Sequence, residues 1–334
     1  MKAFVLIAMI SAMALSSLAD PFALMEKFSP HLSTNTPILW KATNQLPKDF
    51  WIYRRILPRV FSATVISNAI VMASLETNGI PEPSTNDFYV SEDMGPNYPG
   101  AVPVYFGIIP EDAHLYYDAP HPDTNSTDMP DDGILIQRAR DCAFQLGVDL
   151  ALVAAKKPGF IFNSDRDPTK PTNQICGRRV FLSRQLHGIT FYDHHDNGWS
   201  EGLSFALSSG GKLRSFYLDW PELQRTETRQ TASVQQLVAL IRAHRVIVLR
   251  NDIHEDRFFQ RIESLSNAKT FSITNVTPYY FDGELGRTNQ NDVPPEYATP
   301  IAELDAVADF GNSNAAVRIF SFILSSDVTR ALAR

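Results

Sequence analysis

The sequence predicts an α+β fold: two helix-plus-antiparallel-sheet modules behind a helical and irregular N-terminal region. Three observations carry this. Leu203, Phe205 and Leu207 alternate with small residues, and Ser209-Gly210-Gly211 follows as a turn before Lys212–Trp220, so residues 203–220 read as a hairpin with one buried face. Two segments, 133–147 and 233–241, place apolar residues at helical spacing. Finally, a helix followed by antiparallel strands occurs twice, at 133–220 and 252–324. This is an architectural echo without residue-by-residue repetition.

The expected organisation is a signal peptide at 1–19, an N-terminal helical and loop-rich region at 20–132, a first α+β module at 133–227 and a second at 228–334. At 334 residues there is room for two domains of ordinary size. Hydrophobic residues make up 44% and charged residues 20%, which excludes global disorder. The net charge of −7 comes with no basic block, so nucleic acid is not an expected partner.

Met1-Lys2, the apolar run Ala3–Leu15, and small residues Ser17 and Ala19 before Asp20 form a tripartite export signal with cleavage after Ala19. The apolar run is short for a bilayer span, and no later segment reads as one. The expected location is therefore secreted or periplasmic. Val60, Phe61, Val65, Ile66, Ile70 and Met72 predict a mainly buried helix over 59–75. Residues 77–132 are rich in Pro, Asn, Asp and Gly, with short strands at 89–90 and 102–109 and an exposed loop at 124–132.

The helix over 133–147 carries the stripe Leu135, Ala139, Cys142, Leu146 and stops at Gly147. Residues 156–177 read as a connection, 189–192 as a strand and 222–230 as a polar link. Ser233 and Gln236 form a capping box for a helix through Val234, Leu237, Val238 and Ile241. A further helix is expected over 252–267, then strands at 269–281, 298–310 and 315–324.

Cys142 and Cys176 are the two cysteines. An oxidising compartment makes them a candidate disulfide. It would close a loop of roughly 35 residues, worth about 3–4 kcal/mol on the chain-entropy model. The alternative is that Cys142 is simply one residue of the apolar helix face.

The one dense group of metal-type ligands is Asp193, His194, His195 and Asp196. Imidazole and carboxylate suit zinc or manganese. Neighbouring side chains on a strand point apart, so His187, Glu201 or Asp165 would have to complete a site. Without that, the four residues are a solvated turn before Asn197-Gly198. Glu303, Asp305 and Asp309 share a strand face, which suits a calcium ion or a basic partner, or else a wet edge. Trp220 and Tyr279-Tyr280-Phe281 are candidates for a ligand platform or for core. Asn125-Ser126-Thr127 and Asn275-Val276-Thr277 are glycosylation sequons. No Gly-x-Ser-x-Gly elbow, dinucleotide fingerprint or P-loop occurs.

Three resemblances bear on these residues. A helix followed by the Gly-turned hairpin Gly202–Trp220 resembles the PepSY-type α+β modules of exported bacterial proteins, although Asp219 is followed here by Trp220-Pro221-Glu222. Residues 303–314 look similar to uncharacterised secreted bacterial proteins. Asp193-His194-His195, with Asn163–Asp167 upstream, is similar to the signature of the DHH phosphoesterases. The first two imply an exported regulatory or binding module; the third implies metal-dependent hydrolysis. The expected function is that of an exported non-enzymatic protein binding a protein or envelope partner, with no cofactor. The alternative is a metal-dependent hydrolase centred on Asp193–Asp196 with zinc or manganese.

Overall fold

Strands far outnumber helices in the computed structural model, which describes residues 29–73, 88–91, 104–119, 129–162, 175–192, 201–248, 264–281 and 296–333. Among the described residues sixteen strands form a seven-stranded and a nine-stranded sheet. Four α-helices occur among the described residues. This corrects the expected class. The fold is β-rich with two large sheets, and is not a pair of helix-plus-sheet modules behind a helical region. The chain divides into two compact units, Met1–Tyr53 with Arg225–Arg334, and Arg54–Gln224. Residues 20–132, grouped above as one N-terminal region, contribute to both.

Unit Arg54–Gln224 holds the nine-stranded sheet. Its strands are β3 (Phe88–Ser91), β4 (Val104–Ile109), β5 (His114–Asp118), β6 (Val153–Ala155), β7 (Gly159–Phe162), β8 (Ile175–Leu186), β9 (Ile189–Thr190), β10 (Gly202–Ser208) and β11 (Leu213–Asp219). The spatial order is β3-β4-β5-β11-β10-β8-β6, with β7 and β9 also pairing with β8. The expected hairpin is its centre. Phe205 lies directly opposite Phe216, and both are buried. Gly210 and Gly211 take φ of 78° and 72°, which a side chain would disfavour. Ser204, on the other face, is half-buried.

Helices α1 (Ala63–Met72) and α2 (Asp132–Gln145) belong to the same unit. α1 begins four residues later than its apolar residues suggest, because the Ser62 hydroxyl caps it by accepting from Val65 N at 3.2 Å. Asp131 caps α2 through Ile134 N at 2.8 Å. The α2 stripe Leu135, Ala139, Cys142 and Leu146 is buried in one apolar cluster with Leu115, Tyr117, Val180, Leu182, Leu203, Phe205, Phe216 and Leu218. One face of the sheet is thereby committed to core.

The other unit is built on the seven-stranded sheet. β1 (Ile38–Trp40), β14 (Thr270–Phe281), β15 (Tyr297–Asp309), β16 (Asn314–Phe322) and β13 (Ile247–Val248) follow in that spatial order. β2 (Asp49–Ile56) pairs with β15, and β12 (Glu222–Gln230) pairs with β2. β1 runs parallel to β14. Val276, Leu304 and Ile319 lie in one cross-strand row and are buried. Helix α3 (Val234–Arg242) has the expected capping box between Ser233 and Gln236. It buries Leu237, Leu240 and Ile241, and packs on β16 and on α4 (Ser325–Leu332). The expected helix over 252–267 lies largely outside the described residues; Ser264–Asn267 forms a 3-10 turn. No helix among the described residues is long and apolar enough to cross a membrane.

Candidate binding face

The residues singled out above as ligands have different fates. Asp193, His194, His195 and Asp196 lie outside the described residues, as do Asp165 and Asn125. His187 sits at the β8–β9 turn with φ of 51° and is exposed. Among the described residues no group of three or more His, Cys, Asp or Glu side chains is placed to hold a metal ion.

Glu201, a third residue invoked for such a site, has another use. Arg55 Nε donates to Glu201 Oε1 at 2.6 Å, and Arg184 Nη1 donates to Oε2 at 3.0 Å. The three side chains are between 1% and 6% exposed. Arg184 also donates to Pro221 O at 2.6 Å, and its guanidinium lies 4.5 Å from the centre of the Trp220 ring. Burial pulls the Arg184 pKa down, and Glu201 opposes that shift. Charge-assisted bonds to both carboxylate oxygens offset the cost of removing these ions from water. Trp220 is thus a buried wall of this network rather than a platform.

The other candidates are also structural. Tyr280 is buried and donates to Trp51 O at 2.9 Å. Glu303 is buried and lies 3.3 Å from Arg318 Nε, which also reaches Asp305 at 3.1 Å. Asp309 accepts from Gly311 N at 2.6 Å. Cys142 and Cys176 are both free thiols in this structure. Cys142 faces the core, where burial pushes its pKa up to about 12. Cys176 accepts from Arg214 Nη1 at 3.0 Å. The helix face that buries Leu135 and Ala139 commits Cys142 to packing.

A different surface assembles polar and aromatic groups. Leu115 and Tyr117 of β5 point into the core, so strand alternation sends His114, Tyr116 and Asp118 to the opposite face. Directly opposed pairs extend this across five strands, as Gly107, Tyr116, Tyr217, Ser204 and Phe181. The Tyr116 and Tyr217 rings are 7° from parallel with centroids 6.3 Å apart. The His114 ring stacks on Tyr116 at 5.2 Å. Gly107 is a requirement here, since a Cβ would fall 2.5 Å from the Tyr116 ring.

Tyr217 donates its hydroxyl to Asp118 Oδ2 at 2.7 Å. Burial, then that hydrogen bond and the Asp118 charge, push the Tyr217 pKa up. Burial lowers the His114 pKa to about 4. The ammonium of Lys156 sits 5.4 Å over the Phe181 ring at the far end of the row. Tyr116, Tyr217 and Phe181 are half-buried. The result is a ring-faced strip with a carboxylate and a cation at its margins, held on a rigid sheet. Sequence reasoning passed over it because 77–132 reads as loop. The alternation in His114-Leu115-Tyr116-Tyr117-Asp118 was the available signal.

No family model and no curated protein matches this chain. Among solved structures, an uncharacterized protein from Eubacterium rectale is similar at 9% identity and a TM-score of 0.38, over 90% of this chain and 94% of that one.

Proposed function

We propose that this is an exported protein that acts by binding rather than by catalysis, and that its partner is a protein or envelope component engaged by the outer face of the nine-stranded sheet. The export half rests on the N-terminal residues Met1–Ala19 and on the PepSY-type likeness of Gly202–Trp220. The observation that carries the binding half is the half-buried row of parallel tyrosines. The large apolar cluster of this unit lies on the opposite face of the sheet. Flat aromatic faces with a few fixed polar groups favour ligands that present both an apolar face and hydroxyl or amide groups. Envelope glycans and glycan-bearing proteins meet that description. Catalysis gains no support from Glu201, whose two oxygens are held by Arg55 and Arg184.

The test is cosedimentation of the mature chain with isolated envelope material, compared with a Tyr116→Ala, Tyr217→Ala double variant. Losing two aromatic contacts should weaken retention by roughly tenfold or more, with melting unchanged. Equal retention of the folded variant would remove the tyrosine face from the proposal. Stoichiometric zinc or manganese in the purified protein would replace it with a hydrolase centred on Asp193–Asp196.

A further inference from the structure

β12 is an unusual strand. It is nine residues long, pairs only with β2 among the described strands, and eight of its residues are exposed. The Thr231 amide donates to Lys48 O on the β2 side, whereas the Ala232 amide donates to Ile323 O on the other side. By two-residue alternation, the even-numbered amides and carbonyls of β12 turn away from β2. A long edge of this kind is a template for another strand.

The sequence of that edge is complementary to itself. We propose that two copies of the chain pair antiparallel through β12 about a two-fold axis at Thr226. This places Thr226 opposite Thr226 as a hydrogen-bonded pair, Gln224 opposite Thr228, and Arg225 opposite Glu227 twice over. Arg225 and Glu227 are odd-numbered, so they occupy the closer, non-hydrogen-bonded positions; within one chain Arg225 lies over the Trp51 ring and Glu227 holds Arg229 at 2.6 Å, and pairing adds a second partner to each. A shift of the two-fold axis by one residue either way sets Arg225 against Arg225, or Glu227 against Glu227 and Arg225 against Arg229. Like charges directly opposed disfavour both alternatives; an axis at Thr228 would oppose Glu227 and Arg229 twice, but it sets Arg225 against Thr231, whose outward side Leu324 already holds.

The ends of the strand agree. Leu324 bridges Thr231 on the outward side, and α4 starts there. A cavity of about 580 Å³ remains beside Arg229 and Gln230, lined also by Ser325, Ser326, Asp327 and Arg330. The proposed register sets Glu222 of the second copy opposite Gln230, at this cavity. Arg229 and Arg330 border it beside their own partners Glu227 and Asp327, and an isologous contact brings a Glu222 to both such cavities at once.

The experiment is sedimentation equilibrium of the full mature chain with charge-reversal variants. Wild type should dimerise with a dissociation constant on the order of micromolar. Arg225→Glu and Glu227→Arg should each weaken the dimer roughly tenfold to a hundredfold, because each creates two like-charge pairs. The double variant carrying both should recover it. Thr226→Pro, which removes the central outward N–H, should be monomeric with an unchanged circular dichroism spectrum. A wild type that stays monomeric at roughly 100 µM, well above that constant, overturns the proposal, and so does a dimer untouched by the single reversals. Failure of the double variant to regain the dimer while it remains folded overturns the register.

Discussion

Replacing Glu201 by Gln is the sharpest test of what holds unit Arg54–Gln224 together. The substitution keeps the shape of the side chain and removes its charge. It leaves Arg55 and Arg184 side by side, at 1% and 6% side-chain exposure, with no anion between them. Two charge-assisted hydrogen bonds, at 2.6 and 3.0 Å, become weak or are lost. Removing one partner from a buried ion cluster typically costs about 3–5 kcal/mol, because the remaining charge stays desolvated. A domain is held by only ~5–15 kcal/mol, so the loss is a large share of the total. The measurement is a urea melt followed by tryptophan fluorescence, since Trp220 lies under the Arg184 guanidinium and reports on this site. The control is Arg330→Gln, whose partner Asp327 is 3.5 Å away and whose own side chain is 65% exposed. That pair should be worth about 0–1 kcal/mol. If Glu201→Gln also costs less than about 1 kcal/mol, water reaches these arginines and the network is not what closes this end of the sheet.

Two further outcomes are expected. Phe205→Ala should cost about 3–5 kcal/mol through lost transfer energy and a cavity against Phe216, while Ser204→Thr on the opposite face should stay within about 0.5–1 kcal/mol; chemical denaturation of both variants compares them, and a tolerated Phe205→Ala would displace the hairpin from the centre of the core. His114 should make the fold acid-sensitive: held neutral by burial down to about pH 4, it binds a proton near pH 6.5 once unfolded, so the unfolded chain takes up more protons between those values and stability falls as pH drops through that window, by about 3 kcal/mol in all. A His114→Gln variant should lose that part of the slope in melts between pH 7 and 4, and an identical slope would mean that water solvates the imidazole in the fold.

Much of the local structure was legible. The α2 stripe, the Ser233–Gln236 capping box and the Gly210-Gly211 turn of the 203–220 hairpin all come from interactions within a few residues, or from an alternation visible along a single strand. Residues 269–281, 298–310 and 315–324 also announced themselves as strands by composition and length. What the sequence concealed was how far the sheets extend. β12 reads Glu-Leu-Gln-Arg-Thr-Glu-Thr-Arg-Gln and shows no buried face, because both its faces are wet. Its pairing with β2 makes it a strand, and that partner lies about 170 residues away, as the bond from the Thr226 hydroxyl to Ile52 O shows. β7 and β4 likewise owe their state to partners outside their own windows.

The candidate face divides in the same way. Its residue types stand in plain view at 114–118 and 215–217, but the row exists only because β5 lies beside β11 in one register. Glu201 looked like a free ligand near two histidines until Arg55, 146 positions away, claimed one of its oxygens. Amino-acid order alone determined where helices are capped, where turns are glycine-dependent and which faces avoid water. Tertiary structure decided the fold class, the partner of each charge and the alignment of the tyrosines, since burial and hydrogen bonding between distant segments are worth more than local preference.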